Sequence, residues 1–360
     1  MRVLALCTYP VEAASTRYRL QQFVEPLAGH GITLVIRPFL DSQLFTNLYR
    51  REALPRNAVG LITSALLRVG DVIRARDADV LFVQREAMMV GPPAIEWLSM
   101  KMGRCPMVLD LDDSTYVSYV SPTYGRWGSA LKWFRKTNDL ISWAKVVTCG
   151  NRAIADYVTG RGKEAVIIPT VVDTDRFVPR AQAARSKVPV IGWIGTHSTY
   201  QYLASVFPAL ERLARTQRFC LKVIGAGREE ITIPGVEVEN LPWNLDREVA
   251  DFQSFDIGIY PIVKDEWSEG KSGFKAIQYM AVGLPFVTTP VGACAEIGQP
   301  GVTHFVAETE DEWVAGLSKL LSDRQQAERM GAAGRRYALE HYTVDVQAAK
   351  LAQVFNSVRA

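Results

Sequence analysis

The sequence predicts an α/β chain made of two doubly wound parallel sheets in tandem, on three observations. Short apolar runs alternate with amphipathic stretches, the pattern lapses once and then restarts, and polar or glycine-bearing turns follow successive runs. In the first half the runs are residues 2–7, 32–36, 79–84, 107–111, 145–148 and 165–168. Their length and near-continuous hydrophobicity are those of parallel strands buried on both faces. Between them, 16–28 and 92–102 read as helices. Residues 171–187 are polar, contain Pro179 and lack periodicity, which predicts a linker. Strands are expected again at 188–194, 219–224, 236–238, 256–260 and 285–289, followed by helices at 312–321, 324–341 and 344–358. The expected domains are 1–170 and 188–341, with the helix in 342–360 packing back on the first. Two open sheets in tandem are expected to face each other across a central cleft, because ligands bind such sheets at the strand carboxyl ends.

Composition narrows the class. A chain of 360 residues with 48% hydrophobic residues can bury two ordinary cores. The five cysteines (Cys7, Cys105, Cys149, Cys220, Cys294) form no C-x-x-C pair, which argues against a zinc site or a disulfide framework and for a reducing, cytoplasmic setting. MRVLALCTYP is too short an apolar run for a signal peptide and reads as a first buried strand. No run approaches the ~18 apolar residues of a membrane span. Residues 1–170 carry 21 Lys and Arg against 15 Asp and Glu, and residues 171–360 carry 20 against 23. The basic first half suits an anionic partner such as a lipid surface, or is ordinary variation in surface charge; no basic cluster is dense enough for nucleic acid.

Three segments carry candidate chemistry. In Gly270-Lys-Ser-Gly-Phe-Lys-Ala-Ile-Gln-Tyr-Met-Ala-Val-Gly, residues Phe274, Ile277, Met280 and Ala281 share one helical face, and Gly283 stops the helix. The helix then begins near Ser272 and Gly273, where free amides and the dipole favour an anion. Lys271 and Lys275 flank that point, as in a diphosphate clamp or as two surface lysines. In Ile191-Gly-Trp-Ile-Gly-Thr-His-Ser-Thr-Tyr-Gln, a strand runs into Gly195, and Ser198 and Gln201 have capping-box spacing. Gly195 and Thr196 are expected to present amides to phosphate. His197 reaches the same ligand or merely sits in the loop, and Trp243 stacks on a base or packs. Gly225-Ala-Gly227 lacks a third glycine and reads as a strand-end turn.

In the first half, Asp110-Leu-Asp112-Asp113 closes a predicted strand, and alternation puts Asp110 and Asp112 on one side. Carboxylates at a strand end suit acceptor hydroxyls, electrostatic support or a divalent metal; their bland roles are helix caps. Arg85-Glu86 and Ser15-Thr16-Arg17 follow other strands, so Arg17, Arg85, Glu86 and Asp113 are the candidate acceptor-binding residues, the alternative for Arg85 being simple neutralisation of the carboxylates. The aromatic and basic run 119–143, with Tyr124, Trp127, Lys132, Trp133, Phe134, Arg135 and Lys136, is an acceptor- or membrane-facing surface or a helix with a buried aromatic face. No Ser/His/Asp or Cys/His nucleophile arrangement exists, and four scattered histidines have no metal-ligand spacing. Chemistry is expected from positioning and charge.

The motifs resemble those of retaining GT-B glycosyltransferases of the family-4 type (glycosyl transferases group 1). Ile168-Pro-Thr-Val-Val-Asp173-Thr-Asp-Arg-Phe177 is similar to their I-P-N-G-V-D-x-x-x-F segment, and Lys275–Pro285 to their E-A-M-A-C-G-x-P-V-V donor helix. Cys149-Gly150-Asn151, Gly192-Trp193-Ile194-Gly195, 256–261 and Pro290-Val-Gly292 fall in matching order. The resemblance covers most of the chain and is most specific in the second half.

It implies a GT-B fold and transfer of a sugar, with retention, from a nucleotide-diphosphate sugar to an acceptor hydroxyl in glycan, polysaccharide or glycoconjugate synthesis. The acceptor is then a sugar, a lipid-linked or a small molecule, with the N-terminal domain on the acceptor side and the C-terminal domain holding the donor. Gln278 stands where the family has the second of two glutamates, Gly270 precedes it, and the family's Arg and Lys after Gly195 are missing, which marks a divergent subfamily. The expectation is that Lys271 and Lys275 supply the positive charge, with Asp110 and Asp112 as the other catalytic candidates. Gln278, Ser272, Gly273, Phe274, Gly195, Thr196, His197 and Trp243 then bind the donor, and no cofactor or metal is needed. Peripheral contact with the cytoplasmic face of a membrane is a further expectation. The rival functions are a nucleotide-sugar epimerase or phosphorylase, and a non-catalytic nucleotide-sugar binder.

Overall fold

The computed structural model describes residues 1–48, 50–120, 125–181 and 188–359. Tyr124 and residues 182–187 of the expected linker lie outside them. Two compact units result, one of Met1–Thr170 with Val344–Ala360, the other of Val171–Thr343.

The N-terminal unit holds β1 (Arg2–Cys7), β2 (Thr33–Pro38), β3 (Val80–Gln84), β4 (Met107–Leu111), β5 (Val146–Cys149) and β6 (Ala165–Ile167). They form one parallel sheet in the order β2-β1-β3-β4-β5-β6. Leu4, Leu6, Leu81, Val83, Leu109 and Val147 build its core, which is why these runs are apolar on both faces. The helix Val344–Val358 belongs to this unit and packs on the helix Val24–Gly29, with Phe355 edge-on to Phe82 at 5.1 Å. The expected helix over 16–28 is broken into Ala14–Arg19 and Val24–Gly29. Pro26 explains the break: it has no amide to donate and fits only in a helix's first turn.

The C-terminal unit holds β7 (Val190–Ile194), β8 (Cys220–Ile224), β9 (Glu237–Leu241), β10 (Ile257–Tyr260), β11 (Phe286–Thr288) and β12 (Phe305–Val306). Their order is β12-β11-β10-β7-β8-β9, again all parallel. The first five were legible as apolar runs; the two-residue β12 is too short to show a period. Residues 171–181 are not a solvated tether. Val171, Val172 and Phe177 are buried, and Arg335 donates to the carbonyls of Phe177 (2.7 Å) and Thr174 (2.9 Å).

Strand order decides where a ligand can sit. In each sheet the connections reverse direction once, between β1 and β3 and between β7 and β10, and the crevice at such a switch lies beyond the strand carboxyl ends. In the C-terminal unit the switch is set by close packing. Gly192 and Gly258 are register partners, and aromatic rings lie directly on both. A Cβ on Gly192 would stand 2.0 Å from the Phe255 ring, and one on Gly258 would stand 2.9 Å from Tyr279. The single proton of the Tyr279 hydroxyl is shared between the carbonyls of Ile259 (3.0 Å) and Gly192 (3.3 Å), which ties the two strands together.

Gly192→Ala is therefore expected to destabilise the protein by about 1–3 kcal/mol through overpacking. Chemical denaturation of the purified variant measures this.

Candidate functional site

At the β7–β10 switch, the loop 270–273 joins the helix Glu266–Glu269 to the helix Phe274–Ala281. Asp265 caps the first helix, accepting from the Ser268 amide at 2.6 Å. Gly292, with φ +57°, backs the loop: a Cβ there would come within 2.8, 2.9 and 3.0 Å of the carbonyl oxygens of Glu269, Ser268 and Lys271. Only glycine permits that approach. Gly273 is the N-cap of the second helix at φ +63°, and the helix closes with Ile277 N donating to Gly273 O at 3.2 Å. The amides of Ser272 and Gly273 donate to no backbone carbonyl among the described residues. Unused donors at a helix start, with the positive end of its dipole, form an anion-binding arrangement.

Two lysines stand there. Lys271 Nζ lies 5.6 Å from the centre of the Tyr202 ring and Lys275 Nζ 5.1 Å from that of Tyr260. Lys275 forms no ion pair with a carboxylate among the described residues. Burial, and then the charge of Lys271, push its pKa down to about 8, with the Cys294 thiol opposing. A half-buried ammonium whose nearest charged neighbour is another cation is expensive unless an anion arrives. Gln278 is buried one turn further along and donates to Glu248 at 3.4 Å, and Glu248 also faces Arg176 at 3.6 Å. The residue expected to meet a ribose thus has a protein partner.

The exits of β7, β8 and β9 converge through glycine. A Cβ on Gly225 (φ +77°) would lie 2.5 Å from the Gly195 carbonyl and 3.1 Å from Trp243 Cβ, and one on Gly227 would lie 2.8 Å from His197 Cβ. Gly195, His197 and Trp243 are therefore neighbours around the Gly225-Ala-Gly227 turn. Thr196 is tied into its own turn, its amide donating to Thr199 Oγ1 at 3.0 Å and its hydroxyl sharing a hydrogen bond with Ser198 at 2.8 Å. The expected Ser198–Gln201 capping box does not form, because the hydroxyls of Ser198 and Thr199 are spent inside this turn. The helix begins later, at Tyr200, and its N-cap Thr199 makes no side-chain cap bond. Arg228, which follows the turn, lies 4.9 Å from the centre of the Tyr200 ring. No local motif marks it, since only topology brings that cation beside the β7 exit.

In the N-terminal unit the strand-end residues pair with one another. Asp110 is 1% exposed, and Arg19 grips both of its carboxylate oxygens, the Nε contact being 3.0 Å. Thr148 adds a hydroxyl at 2.6 Å, and Arg19 also donates to the Ile168 carbonyl at 2.6 Å. Asp110 was expected to face a ligand; here it is an internal anchor for Arg19, a residue absent from the sequence-based set. Asp112 accepts from Arg85 Nε at 2.5 Å and from its second nitrogen at 2.8 Å. Burial would raise the Asp112 carboxyl, but Arg85 and then Arg19 hold it below the usual range. Asp113 lies 3.8 Å from Arg85, each side chain 23% exposed.

The backbone at Arg85 is strained. Its φ is +61°, and Glu86 N donates back to Gln84 O at 2.8 Å, which makes a tight γ-type turn. Strain of this kind gathers at functional sites. Glu86 is held by Lys136 at 2.8 Å and Lys132 at 3.2 Å, so its charge is already neutralised. Arg17 donates to the Glu12 carbonyl at 3.2 Å and leaves its buried Nε without a partner. Of the run 119–143, Phe134 meets Tyr119 edge-on at 5.1 Å, whereas Trp127 and Trp133 are exposed. No cluster of metal-ligating side chains exists among the described residues.

Residues 188–323 match the family described as Glycosyl transferases group 1. No curated protein sequence matches the chain. Among solved structures, HepE of Anabaena in complex with UDP-glucose superposes with a TM-score of 0.70 at 15% identity, covering 99% of this chain and 100% of that one. A glycosyltransferase of Rickettsia africae gives 0.71 at 13% identity, covering 99% and 98%. The sucrose-phosphate synthase of Thermosynechococcus elongatus gives 0.67 at 14%, covering 99% of each chain. The fold is thus that of the GT-B glycosyltransferases, two Rossmann-like units each with a six-stranded parallel sheet.

Two stability outcomes follow from the charges. Asp110→Asn leaves the Arg19 guanidinium buried without its counter-ion and is expected to cost about 3–5 kcal/mol in a denaturation experiment. For Lys275 the folded pKa of about 8 lies below the ordinary 10.5. Below pH 8 the folded protein therefore carries the full cost of the charge, and stability rises with pH between those two values. Lys275→Met is expected to keep or raise the melting temperature at neutral pH, and to abolish that rise.

Proposed function

We propose that the protein is a glycosyltransferase that takes a sugar from a nucleotide-diphosphate donor held by the C-terminal unit and passes it, with retention, to an acceptor hydroxyl. The observation that carries this is the uncompensated charge of Lys275, set beside Lys271 and the open amides of Ser272 and Gly273. That arrangement fits the two negative charges of a pyrophosphate. The group 1 family match over residues 188–323 and the fold shared with UDP-glucose-binding HepE support the same reading. In it, His197 at the β7 exit reaches the donor's phosphates, Trp243 lies against the base, and Phe274 shapes the helix entrance. The amides of Gly195 and Thr196, expected to face phosphate, are instead spent on the Ile224 carbonyl (2.9 Å) and Thr199 Oγ1 (3.0 Å) and only shape the loop. Gln278 acts with Glu248 on the ribose.

The chemistry follows from charge. As the bond from sugar to phosphate breaks, the sugar becomes oxocarbenium-like and negative charge grows on the departing diphosphate. Two ammonium groups and fixed amides stabilise that growing charge with little reorganisation, so no metal is needed to do so. The leaving phosphate then steers the acceptor oxygen to the face it has just left, and the configuration is kept. In the N-terminal unit, Arg85 and Asp113 are the accessible polar groups offered to an acceptor. Asp112 holds Arg85 in place, and Asp110 does the same for Arg19; both are positioning residues.

Release of nucleoside diphosphate from a panel of UDP, GDP and ADP sugars tests the reading, and no release from any donor with any acceptor would sink it. Lys275→Ala is expected to lower turnover by at least ~10²-fold, the typical loss of one strong electrostatic donor. Full activity is expected in chelator. Calorimetric binding of the preferred nucleoside diphosphate should be strongest below pH 8, where Lys275 is charged. It should weaken up to roughly tenfold per pH unit above that value, and Lys275→Met should flatten this dependence.

A further inference from the structure

The helix Leu54–Arg74 is turned inside out. Its inward face carries Asn57, Ser64, Arg68 and Asp71, all buried, beside the buried Val72 and the partly buried Leu61 and Ala65. Asn57, Arg68 and Asp71 are fixed by specific bonds. Arg68 pairs with Asp71 at 2.9 Å and donates to the carbonyls of Arg37 and Cys7, both at 2.8 Å, while Asn57 donates to the Asn47 carbonyl at 2.9 Å. Rotation of the helix about its axis is therefore set by polar contacts. Its outward face, about 30 Å long at the ordinary helical rise, is left with Val59, Ile62, Leu66, Leu67, Val69 and Ile73, all exposed.

The neighbouring surface has the same character. The helix Ala94–Gly103 packs beside it and exposes Trp97, Leu98 and Met102. The helix Gly125–Lys132 exposes Leu131 and Trp127, the latter at 84%. An apolar cavity of about 340 Å³ lies between Leu54, Leu61, Trp127 and Leu131 and joins this helix to the long one. The exposed charges on the three helices are Arg56, Arg74, Lys101 and Arg126, and their acidic residues, Asp71 and Glu96, are both buried. An apolar face this size on a soluble surface marks a binding site.

We propose that this face of the N-terminal unit seats on an anionic lipid bilayer, with the long helix lying in the plane of the interface. The chemistry favours lipid over a second copy of the chain. Exposed tryptophans beside aliphatic side chains, on helices whose exposed charges are all cationic, match the boundary between headgroups and acyl chains; the exposed acids Glu52 and Asp77 lie beyond the two ends of the long helix. In a two-fold pairing the same patch would meet itself, setting Arg56, Arg74, Lys101 and Arg126 against their own kind.

The test is flotation of the full-length protein with vesicles of phosphatidylcholine alone and of phosphatidylcholine mixed with phosphatidylglycerol, beside the double variant Ile62→Glu, Leu66→Glu. Both positions are exposed, and an unchanged thermal melt shows that the variant folds. Binding is expected to the anionic vesicles, to weaken in high salt, and to fall by ~10²-fold or more in the variant as two apolar anchors are lost and two like charges added. Fluorescence of the wild type should be quenched by brominated lipid, and less so in Trp127→Phe. Absence of binding to anionic vesicles, or equal binding by the variant, overturns the proposal. So does a concentration-dependent dimer that the same substitutions dissolve. Nucleoside diphosphate release by the vesicle-free protein is measured in parallel, so failure here leaves the transferase reading separately decided.

Discussion

A cation taken partly out of water needs a counter-charge, and where each arginine and lysine of this chain finds one sorts structure from function. Arg19 and Arg68 are buried and matched by Asp110 and Asp71. Lys136 is buried and matched by Glu86. Lys275 has an aromatic ring, a thiol and another lysine instead, and its pKa falls accordingly. The matched groups hold loops and helices in place. Lys275 has no carboxylate partner among the described residues, and the proposed diphosphate site rests on that standing electrostatic demand.

The scaffold that maintains this demand is made of close approaches. Gly192, Gly258, Gly225 and Gly292 each stand where a methyl group would strike a ring or a carbonyl. They bring β7 and β10 together under Phe255 and Tyr279, close the exits of β7 and β8, and press the loop 270–273 against the turn at 292–295. A site that must hold an ammonium away from every carboxylate needs rigid neighbours, since a flexible loop would let Lys275 swing out to water.

Much of this was legible in the residue pattern. Apolar runs of strand length marked eleven of the twelve strands, and the Gly273 cap with Gly283 as stop marked the helix that bears Lys275. Other features are written only in three dimensions. Arg19 meets Asp110 across ninety-one positions of sequence, so spacing could not reveal that Asp110 is spoken for. Arg228 reaches the β7 exit only because β8 lies beside β7. The stretch 54–74 shows a stripe of polar residues, but amphipathicity alone says nothing about which side faces the core. The usual assumption, apolar inward, would have mounted that helix backwards.

The path of the chain has a consequence for its birth. Residues 344–359 complete the N-terminal unit, laying Phe355 against Phe82, yet all of the C-terminal unit lies between them and Thr170. On a ribosome the C-terminal lobe has all its parts before the first sheet receives its closing helix. The earlier-made sheet must wait without Phe355 against Phe82 while residues 171–343 are synthesised, which makes it a natural client for a chaperone.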